Sequence, residues 1–456
     1  MRLFKTNSSK LLSVSGHRLW VLVLLITLIL LAALSRSNFG DNFTGSGFKS
    51  QASARVPSKG TGYPPVLAYW ICGSNGDGKR ILRLLKAIYH PRNQYLLQLD
   101  AGSSEIERAE LAFSVESESV FKAFGNVDVV GQSYPLDKTG ASALSAVLHA
   151  AALLLKIGSD WDWFIPLSAS DYPLMSQDDL LHAFTFLPRD LNFIDYTTNT
   201  GWKEYSLMVG DPLGNWKEIF TCEISKISRQ FSEFSKRRLK INQIVIDPNL
   251  YYRETTPLMY AVETRTTPDA FKIFGGSPWT ILTRPFMEHC VHGWDNFPRK
   301  LLMFLTNIAF PLESYFHTVI CNSLEFQNTT VNNDLRFMIW DNPTLTGEPQ
   351  ILKLSEYDKM ITSGAAFARQ FEEGDPVLKK IDQNVLNRSA NGVVPGKWCS
   401  SGQGKNNTNL EEVCSTWGSN VNIDAVKPRS HGMKLRALLS KLATNGSIGT
   451  SQCLQQ

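Results

Sequence analysis

The stretch from Trp161 to Leu174, WDWFIPLSASDYPL, most limits what this chain can fold into. It begins as an apolar run of strand length, in which Pro166 marks an edge or a bulge, and it then turns abruptly into small and polar residues. This pattern is typical of a buried parallel strand, and open α/β sheets bind ligands just beyond the carboxyl ends of such strands. We therefore expect a substrate at Ser168, Ser170 and Asp171. A core strand followed by an ordinary turn is the alternative interpretation.

Strands and helices alternate with short links before this stretch. Apolar runs of strand length occur in VLAYWICG, YLLQLD and NVDVV, and helical periodicity occurs in RILRLLKAIYH and from about Ala141 to Ile157. This alternation predicts an α/β fold with a mostly parallel central sheet and right-handed crossovers. The turn GSNGDG after the first strand lacks the spacing of a dinucleotide-binding motif, and a loop that needs positive φ explains it equally well.

Composition and charge exclude some classes of function. A chain of 456 residues with 43% hydrophobic residues can bury a large core. The formal net charge of +4 is small for this length, and no basic stripe is interleaved with aromatic residues. Both observations argue against a nucleic-acid partner. The spacing of the cysteines and histidines predicts no zinc site.

The amino terminus predicts a single transmembrane signal anchor at residues 19–35, where LWVLVLLITLILLAAL carries no charge. Lys5, Lys10 and Arg18 precede this run, so the positive-inside rule assigns residues 1–18 to the cytosol and the rest of the chain to a lumen. A cleaved signal peptide is the alternative, because AALS at the end of the run resembles a cleavage site.

Three further regions follow the predicted anchor. Residues 36–63 are rich in Ser, Gly and Asn and predict a luminal stem. Residues 64–400 contain the strand and helix patterns and predict the main domain. Residues 401–456 predict a low-order tail, with a helix around Lys434 to Lys441 as its one regular element.

A luminal location gives meaning to the glycosylation sequons and to the cysteines. Sequons that would be used on a luminal surface begin at Asn42, Asn328, Asn387, Asn406 and Asn445. Seven cysteines in an oxidising lumen predict disulfides with at least one thiol left over. Cys399 and Cys414 enclose a short Gly/Asn-rich loop and are the first pair that we expect.

Several motifs, in their order and spacing, resemble glycosyltransferase family 14, the family of core-2/I-branching N-acetylglucosaminyltransferases and peptide xylosyltransferases. They are LAYWICG with LLKAIYHPRNQYLLQLD, WFIPLSASDYPL, GSPWTILTRPF, PLESYFHT and KWC, and they span roughly Val66 to Cys399. The chain is most similar to the plant branch that includes the β-glucuronosyltransferases of arabinogalactan glycans.

The resemblance implies a GT-A-type fold in a type II Golgi membrane protein and inverting transfer from a UDP-sugar to a hydroxyl of a glycan on a glycoprotein. By this resemblance Glu313 stands at the place of the catalytic base, Asp100 at the carboxylate that holds the uridine, and Asp171 at the acidic residue of the donor site. A carboxylate base is what a sugar hydroxyl needs for in-line displacement. Without the resemblance, Glu313 is an ordinary residue at a helix start after Pro311.

The family resemblance further implies that no metal cofactor is needed and that basic residues contact the diphosphate. One basic position falls in AAFARQFEE, where the strict match is Gln370 and the nearest cation is Arg369; Arg336 and Lys353 are candidates for the other. The chain does contain a D-x-D sequence, Asp160 to Asp162, but it precedes the apolar strand and would lie at the wrong edge of the sheet for a ligand.

For the acceptor, we expect Trp279, Trp294 and Asp295 to stack on and hydrogen-bond a sugar, although aromatic residues at such places are more often part of a core. The expected activity is transfer of glucuronic acid from UDP-glucuronate to galactan side chains of arabinogalactan proteins. Transfer of N-acetylglucosamine or xylose is the nearest alternative. A catalytically silent Golgi scaffold that binds glycans is the alternative from another class.

Overall fold

The strands of the protein are known from a computed structural model. It describes residues 56–158, 160–195, 243–252, 254–293, 295–340, 349–389, 391–399, 422–444, 448–449 and 453. Their strands are β1 (Leu67–Gly73), β2 (Gln94–Leu99), β3 (Val127–Val129), β4 (Trp163–Ser168), β5 (Asp171–Pro173), β6 (Asn192–Ile194), β7 (Gln243–Ile246), β8 (Met259–Thr264), β9 (Leu282–Thr283), β10 (Thr330–Asn332), β11 (Arg336–Phe337) and β12 (Phe367–Arg369).

The helices of the same residues pack around these strands. They are α1 (Gly78–Ala87), α2 (Glu105–Ser117), α3 (Ser119–Phe124), α4 (Ala141–Ile157), α5 (Gln177–Thr185), α6 (Arg284–His292), α7 (Asn296–Leu305), α8 (Tyr315–Asn322), α9 (Tyr357–Thr362), α10 (Pro376–Ile381) and α11 (Ser430–Thr444). Short 3₁₀ turns occur at Pro248–Leu250, Pro311–Glu313, Leu354–Glu356 and Lys397–Cys399, and a π-helical turn occurs at Asp382–Leu386.

The central sheet has five strands in the order β3-β2-β1-β4-β9. The pairs among β3, β2, β1 and β4 are parallel, and only β9 runs antiparallel. The predicted α/β fold with a mostly parallel sheet is therefore confirmed. Strand β9 pairs with β4 only at Trp163 and Phe164, so Pro166 lies at a local edge, where a missing N–H costs nothing. Strand β5 belongs to a second sheet of order β11-β12-β5.

The side chains of β1 alternate between two apolar layers. Tyr69 and Ile71 pack in one core with α1 and α5, whereas Ala68 and Trp70 pack in the other with α4 and α6. A strand covered on both faces reads as a continuous apolar run, which is why LAYWICG shows no polar alternation. Because both faces are covered, chemistry is confined to the edge where the strands end.

The glycine-rich turn between β1 and α1 is filled by a carboxylate of the protein itself. Glu107 accepts hydrogen bonds from the N–H groups of Gly76 at 3.1 Å and Gly78 at 2.8 Å. Gly76 has a φ of 88°, as expected for a loop that needs positive φ. Since Glu107 occupies the start of α1, this turn does not cradle a phosphate in the way a dinucleotide-binding turn does.

The described part of the predicted low-order tail differs from that expectation, because it is folded onto the main domain. Two buried carboxylates at the start of α5 accept backbone hydrogen bonds from it: Asp178 from Lys427 at 3.0 Å, and Asp179 from Arg429 at 2.5 Å. Leu435 of α11 is fully buried. The Gly/Asn-rich composition near residue 401 did not reveal these contacts, since the partners lie about 250 residues away.

A disulfide joins Cys321, in the last turn of α8, to Cys453. Cys399 is also disulfide-bonded, whereas Cys72 and Cys290 are free thiols. Cys414, the expected partner of Cys399, lies outside the described residues, so the pairing of Cys399 with Cys414 stays a prediction.

No helix among the described residues is long and apolar enough to cross a membrane. The anchor predicted at residues 19–35 and most of the predicted stem lie outside them.

Candidate active site

The candidate site lies at the carboxyl edge of the central sheet. Cys72 and Gly73 end β1, Asp100 follows β2, and Ser168 ends β4. Because these strands are parallel and adjacent, their ends meet at one edge. The sequence prediction of a site at this edge thus corresponds to residues that the fold brings together.

Asp171 and Arg369 form a buried ion pair beside the end of β4. They are 1% and 3% exposed, and Arg369 Nη1 lies 3.1 Å from Asp171 Oδ1. The same nitrogen donates to Ser168 Oγ at 2.5 Å, and the Ser168 N–H donates to Asp171 Oδ2 at 2.6 Å. The antiparallel pairing of β12 with β5 sets Arg369 opposite Asp171. Three of the predicted donor-site residues are therefore in direct contact.

Trp279 and Arg336 complete what we call the arginine cluster: Asp171, Trp279, Arg336 and Arg369. The guanidinium carbons of Arg369 and Arg336 lie 4.1 and 5.4 Å from the centre of the Trp279 ring. Arg336 Nη2 donates to the Pro166 carbonyl at 2.6 Å, and burial lowers the pKa of Arg336. The ring of Trp279, which we expected to stack on an acceptor sugar, thus lies against the two guanidinium groups that we expected at the diphosphate.

The opposite face of β5 carries a second group of charges, the tyrosine network: Arg83, Tyr172, Asp382 and Arg388. Asp382 accepts from Tyr172 OH at 2.6 Å, from Arg83 Nη2 at 2.7 Å, and from Arg388 Nε and Nη2 at 3.0 and 3.1 Å. Both carboxylate oxygens are satisfied, and Asp382 and Arg388 are buried. This network joins α1, β5 and the π-helical turn, and the sequence analysis did not find it.

Glu313 is the last residue of the 3₁₀ turn Pro311–Glu313 and is half-buried. Phe310, just before the turn, has the unusual positive φ of 57°, and its N–H donates to the Thr139 carbonyl at 2.7 Å. The Glu313 carbonyl accepts from the Gly276 N–H at 2.9 Å. The turn is thus held in place by hydrogen bonds on both sides.

Gly276 allows three segments to meet. A Cβ at this position would lie 2.0 Å from the Asp195 carbonyl oxygen and 2.7 Å from His317 Nε2, so any side chain would force these groups apart. The next residue, Ser277, donates its N–H to the Asp195 carbonyl at 2.9 Å and its hydroxyl to Asp334 Oδ2 at 2.9 Å. The close approach explains why glycine stands at position 276.

The buried groups around this turn have shifted protonation equilibria. Burial, with the charge of Asp334 adding, raises the pKa of Asp195 to about 7. Burial lowers the pKa of His317 to about 4, so its imidazole is neutral at physiological pH. Asp195 follows β6 and had no motif to mark it, so the sequence analysis missed it.

Asp100 and Glu313 flank the same connecting segment, residues 134–139. Ala101 donates its N–H to the Tyr134 carbonyl at 3.3 Å, and Phe310 bonds to Thr139 at the other end. Asp100 Oδ1 accepts from the N–H and hydroxyl of Ser103, both at 3.1 Å, and burial raises the pKa of Asp100. Two of the three carboxylates that the resemblance singles out are therefore linked, through neighbouring residues, to the same segment.

Two more cations lie at this edge. Arg80 Nη2 donates to Ser170 Oγ at 2.9 Å, and Lys138 is within electrostatic reach of the Cys72 thiol. Burial is the main cause that raises the pKa of Cys72 to about 12, and the charge of Asp171 adds to it. A raised pKa keeps the thiol protonated at neutral pH, which disfavours it as a nucleophile.

Two predicted residues, Lys353 and Asp295, make their contacts elsewhere. Lys353 is exposed and pairs with Glu372 at 2.7 Å and Asp375 at 3.2 Å. Asp295 caps α7 through its bond from the Phe297 N–H at 3.1 Å, which gives it a structural role. Trp294 lies outside the described residues.

The D-x-D sequence lies before the amino end of β4, as the strand polarity predicted. Asp160 is exposed and pairs with Lys59 at 2.8 Å, and Asp162 Oδ2 accepts from the Val66 N–H at 2.7 Å. Across the described parts of the chain, no group of three or more His, Cys, Asp or Glu side chains could hold a metal ion. Of the sequon residues, Asn328 and Asn387 are exposed, whereas Asn42, Asn406 and Asn445 are outside the described ranges.

Known proteins are similar in sequence to this chain over most of its length. The family model of the Core-2/I-Branching enzyme matches residues 67–215 and 218–361. β-Glucuronosyltransferase GlcAT14A of Arabidopsis thaliana is 41% identical over 411 residues, which cover 90% of this chain and 82% of that protein. GlcAT14B of the same plant is 42% identical over 387 residues, with coverages of 85% and 80%. Human xylosyltransferase 2 is 29% identical over 293 residues, 64% of this chain and 28% of that protein.

The chain belongs to the Core-2/I-branching enzyme family. It is a glycosyltransferase, and its relatives imply a nucleotide-sugar donor and a glycan acceptor. The resemblance stated from the sequence motifs is confirmed.

Proposed function

We propose that this enzyme transfers glucuronic acid from UDP-glucuronate to galactan side chains of arabinogalactan proteins, with inversion and without a metal ion. The proposal includes a GT-A-type fold and a type II Golgi location in which residues 19–35 anchor the luminal enzyme. The names of the plant relatives, which are 41% and 42% identical, support the choice of glucuronic acid.

One observation supports the chemistry above all others: the loop Gly276 to Trp279 contacts both halves of the machinery. Gly276 bonds to the backbone of Glu313, and the ring of Trp279 lies against Arg369 and Arg336. Residues 276 and 279 are at most about 11 Å apart, at 3.8 Å for each Cα step. The turn that carries the base and the two guanidinium groups therefore contact the same four-residue loop.

In the proposed reaction, Glu313 accepts the proton of the acceptor hydroxyl as its oxygen attacks the anomeric carbon. The new carbon–oxygen bond forms on the face opposite the bond to UDP, which breaks and leaves its electron pair on the diphosphate. The proton on Glu313 then passes to solvent. A general base of this kind contributes roughly a hundredfold to ten-thousandfold to the rate.

The departing diphosphate needs positive charge more than it needs a proton. Arg369 and Arg336 can supply it, since a planar guanidinium matches phosphate oxygens in a bidentate way. Their neighbours Asp171 and Asp334 offset part of that positive charge, which lowers the cost of burying two guanidinium groups side by side. A divalent ion would need a cluster of oxygen ligands that includes carboxylates. At this edge Ser168 and Ser170 offer only hydroxyl groups.

Donor choice requires a cation that faces the carboxylate of the glucuronosyl ring. Lys138 and Arg80 are cations at the carboxyl edge outside the arginine cluster, and either could supply this charge. A site for N-acetylglucosamine or xylose would have no use for such a charge. Those transfers are the nearest alternatives, and a silent glycan-binding scaffold is the alternative of another class.

The test is incubation of the luminal protein with UDP-sugars and galacto-oligosaccharides, alongside Glu313→Gln. We expect glucuronic acid to be transferred by the wild type, and turnover to fall about a thousandfold in the variant. Consumption of another donor would refute glucuronosyl transfer. Equal turnover by Glu313→Gln would refute the role of the base, and no consumption of any donor would favour the scaffold.

A further inference from the structure

We propose that Tyr251 and Tyr252 form a platform for sugar units of the acceptor glycan beyond the unit that is modified. The two side chains are 73% and 64% exposed, and they stand next to each other on one turn. A contiguous exposed apolar patch, unlike a single exposed apolar residue, marks an interaction site. This inference rests on the proposed function, because it assumes that a glycan occupies the site.

The turn that carries the tyrosines is fixed at its base. Asp247 is 2% exposed and its Oδ1 accepts from the N–H of Asn249 at 3.0 Å and from its side-chain amide at 2.9 Å. The N–H groups of Tyr251 and Tyr252 both donate to the Pro248 carbonyl at 2.9 Å. The rings are therefore presented on an ordered backbone, so that binding would not have to pay for ordering the turn.

Asp247, which fixes the turn, also connects it to the Glu313 side of the active site. Asp247 Oδ2 accepts from the N–H and hydroxyl of Ser142 at 2.8 and 2.6 Å, at the start of α4. Thr139, three residues before Ser142, holds Phe310 at the entrance to the Glu313 turn. Strand β7 joins the same region, since the Val245 N–H donates to the Asn307 carbonyl at 2.9 Å.

The chemistry of the surface favours a neutral glycan as its occupant. A tyrosine offers a flat apolar face and a hydroxyl that can bond to sugar hydroxyl groups. Ile246 and Met259, a cross-strand pair on the β7–β8 ribbon, are 40% and 52% exposed and extend the apolar surface. The turn before the tyrosines and the turn that carries Glu313 both contact α4, and this placement on the Glu313 side favours the acceptor glycan over an unrelated protein partner.

The test compares a galactose disaccharide with a galactose hexasaccharide as acceptors for the full-length enzyme. We expect the wild type to show a higher kcat/KM for the hexasaccharide, and the double variant Tyr251→Ala/Tyr252→Ala to lower the hexasaccharide-to-disaccharide ratio about tenfold, or about 1.4 kcal/mol. Tyr251→Phe/Tyr252→Phe keeps both rings and should keep most of the ratio. Phe113→Ala is the matched control, since Phe113 is 72% exposed on α2, and it should leave the ratio as in the wild type.

Direct binding of the hexasaccharide without donor separates this inference from the proposed function. If the wild type binds the hexasaccharide and the double alanine variant binds it about tenfold less tightly, the platform stands even if no glucuronic acid is transferred. A wild type that does not prefer the longer glycan, in turnover or in binding, overturns the inference. An alanine variant that keeps the preference also overturns it, as does a phenylalanine variant that loses as much as the alanine one.

Discussion

The arginine cluster and the tyrosine network lie on opposite faces of one three-residue strand, β5. Asp171 points into the first and Tyr172 into the second, because side chains alternate along a strand. In the tyrosine network, both oxygens of Asp382 receive two hydrogen bonds each from within the protein. In the arginine cluster, the guanidinium groups lie against an aromatic face, and Arg336 Nε is buried without a hydrogen-bond partner among the described residues.

The difference shows that a buried arginine–carboxylate group can either stabilise the fold or bind a ligand, depending on whether its hydrogen-bond donors are already satisfied. A fully satisfied network stabilises a junction of elements but has nothing left to offer a ligand. A cluster with spare donors is costly in the free protein and gains a partner when an anion arrives. We therefore expect the two arginine–carboxylate groups to respond differently to the same substitution.

The largest expected effect comes from Arg369→Ala compared with Arg388→Ala. Arg369→Ala should lower kcat/KM about a hundredfold or more, because it removes a donor to the charge that develops on the diphosphate. Arg388→Ala should lower the free energy of unfolding by about 3–5 kcal/mol, since it leaves Asp382 short of a buried partner. Urea unfolding and initial rates, corrected for the folded fraction, measure the two effects.

The folded molecules of Arg388→Ala should turn over within about twofold of the wild-type rate. Arg369→Ala will also lose stability, because it breaks a buried pair, so affinity for UDP is the deciding measurement. If both variants retain UDP affinity and lose the same turnover per folded molecule, the contrast between the two groups is wrong.

A smaller effect tests Asp195, a carboxylate for which the described residues show no guanidinium partner. Its pKa is raised to about 7 from 3.8, so the folded protein binds this proton more tightly than the unfolded chain does. The free energy of unfolding should therefore fall as pH rises from about 4 to 7 and stay low above that range. Asp195→Asn should remove this slope and make the variant more stable than the wild type at pH 8, by at most about 4 kcal/mol at 1.36 kcal/mol for each pKa unit.

Urea unfolding at pH 5 and pH 8 measures the difference, and the exposed Asp190 offers the control Asp190→Asn. The control should follow the wild type at both values. A wild type and an Asp195→Asn variant with the same dependence on pH would show that Asp195 keeps an ordinary pKa.

The smallest expected effect is none at all. If guanidinium groups take the place of a metal ion, EDTA should leave the rate as it was, and Asp160→Ala should match the wild type, since Asp160 is exposed before the amino end of β4. Steady-state rates with and without Mn²⁺ measure this. Full dependence on Mn²⁺ would show that the argument from strand polarity is wrong and that the arginine cluster has another role.

Much of the central sheet was predictable because its signals are local. The apolar runs of β1, β2 and β4 and the change to polar residues after Ser168 lie within a few residues of one another. The folding of residues 422–444 onto α5 was not predictable in this way. Its signal is a pair of buried aspartates that need backbone donors, and neither aspartate differs in sequence from an ordinary helix start.

The same distinction between local and long-range signals applies to the residues of the site. Asp171 and Arg369 could be named from motifs, and they are in contact. Tyr172 and Asp382 are 210 residues apart, so no spacing in the sequence indicates their bond. Trp279 was named for the acceptor and lies on the arginines, since a motif marks that an aromatic ring is present but not which neighbour it packs against.

The bond between Cys321 and Cys453 has a consequence for the order in which the enzyme matures. Cys321 lies in the last turn of the helix that starts two residues after Glu313, and its partner lies 132 residues further along the chain. During synthesis this helix therefore remains unlocked until the ribosome has made Cys453 and both thiols have met an oxidant. A polypeptide released before that position would carry every motif of the active site and still lack the disulfide that holds the helix after Glu313.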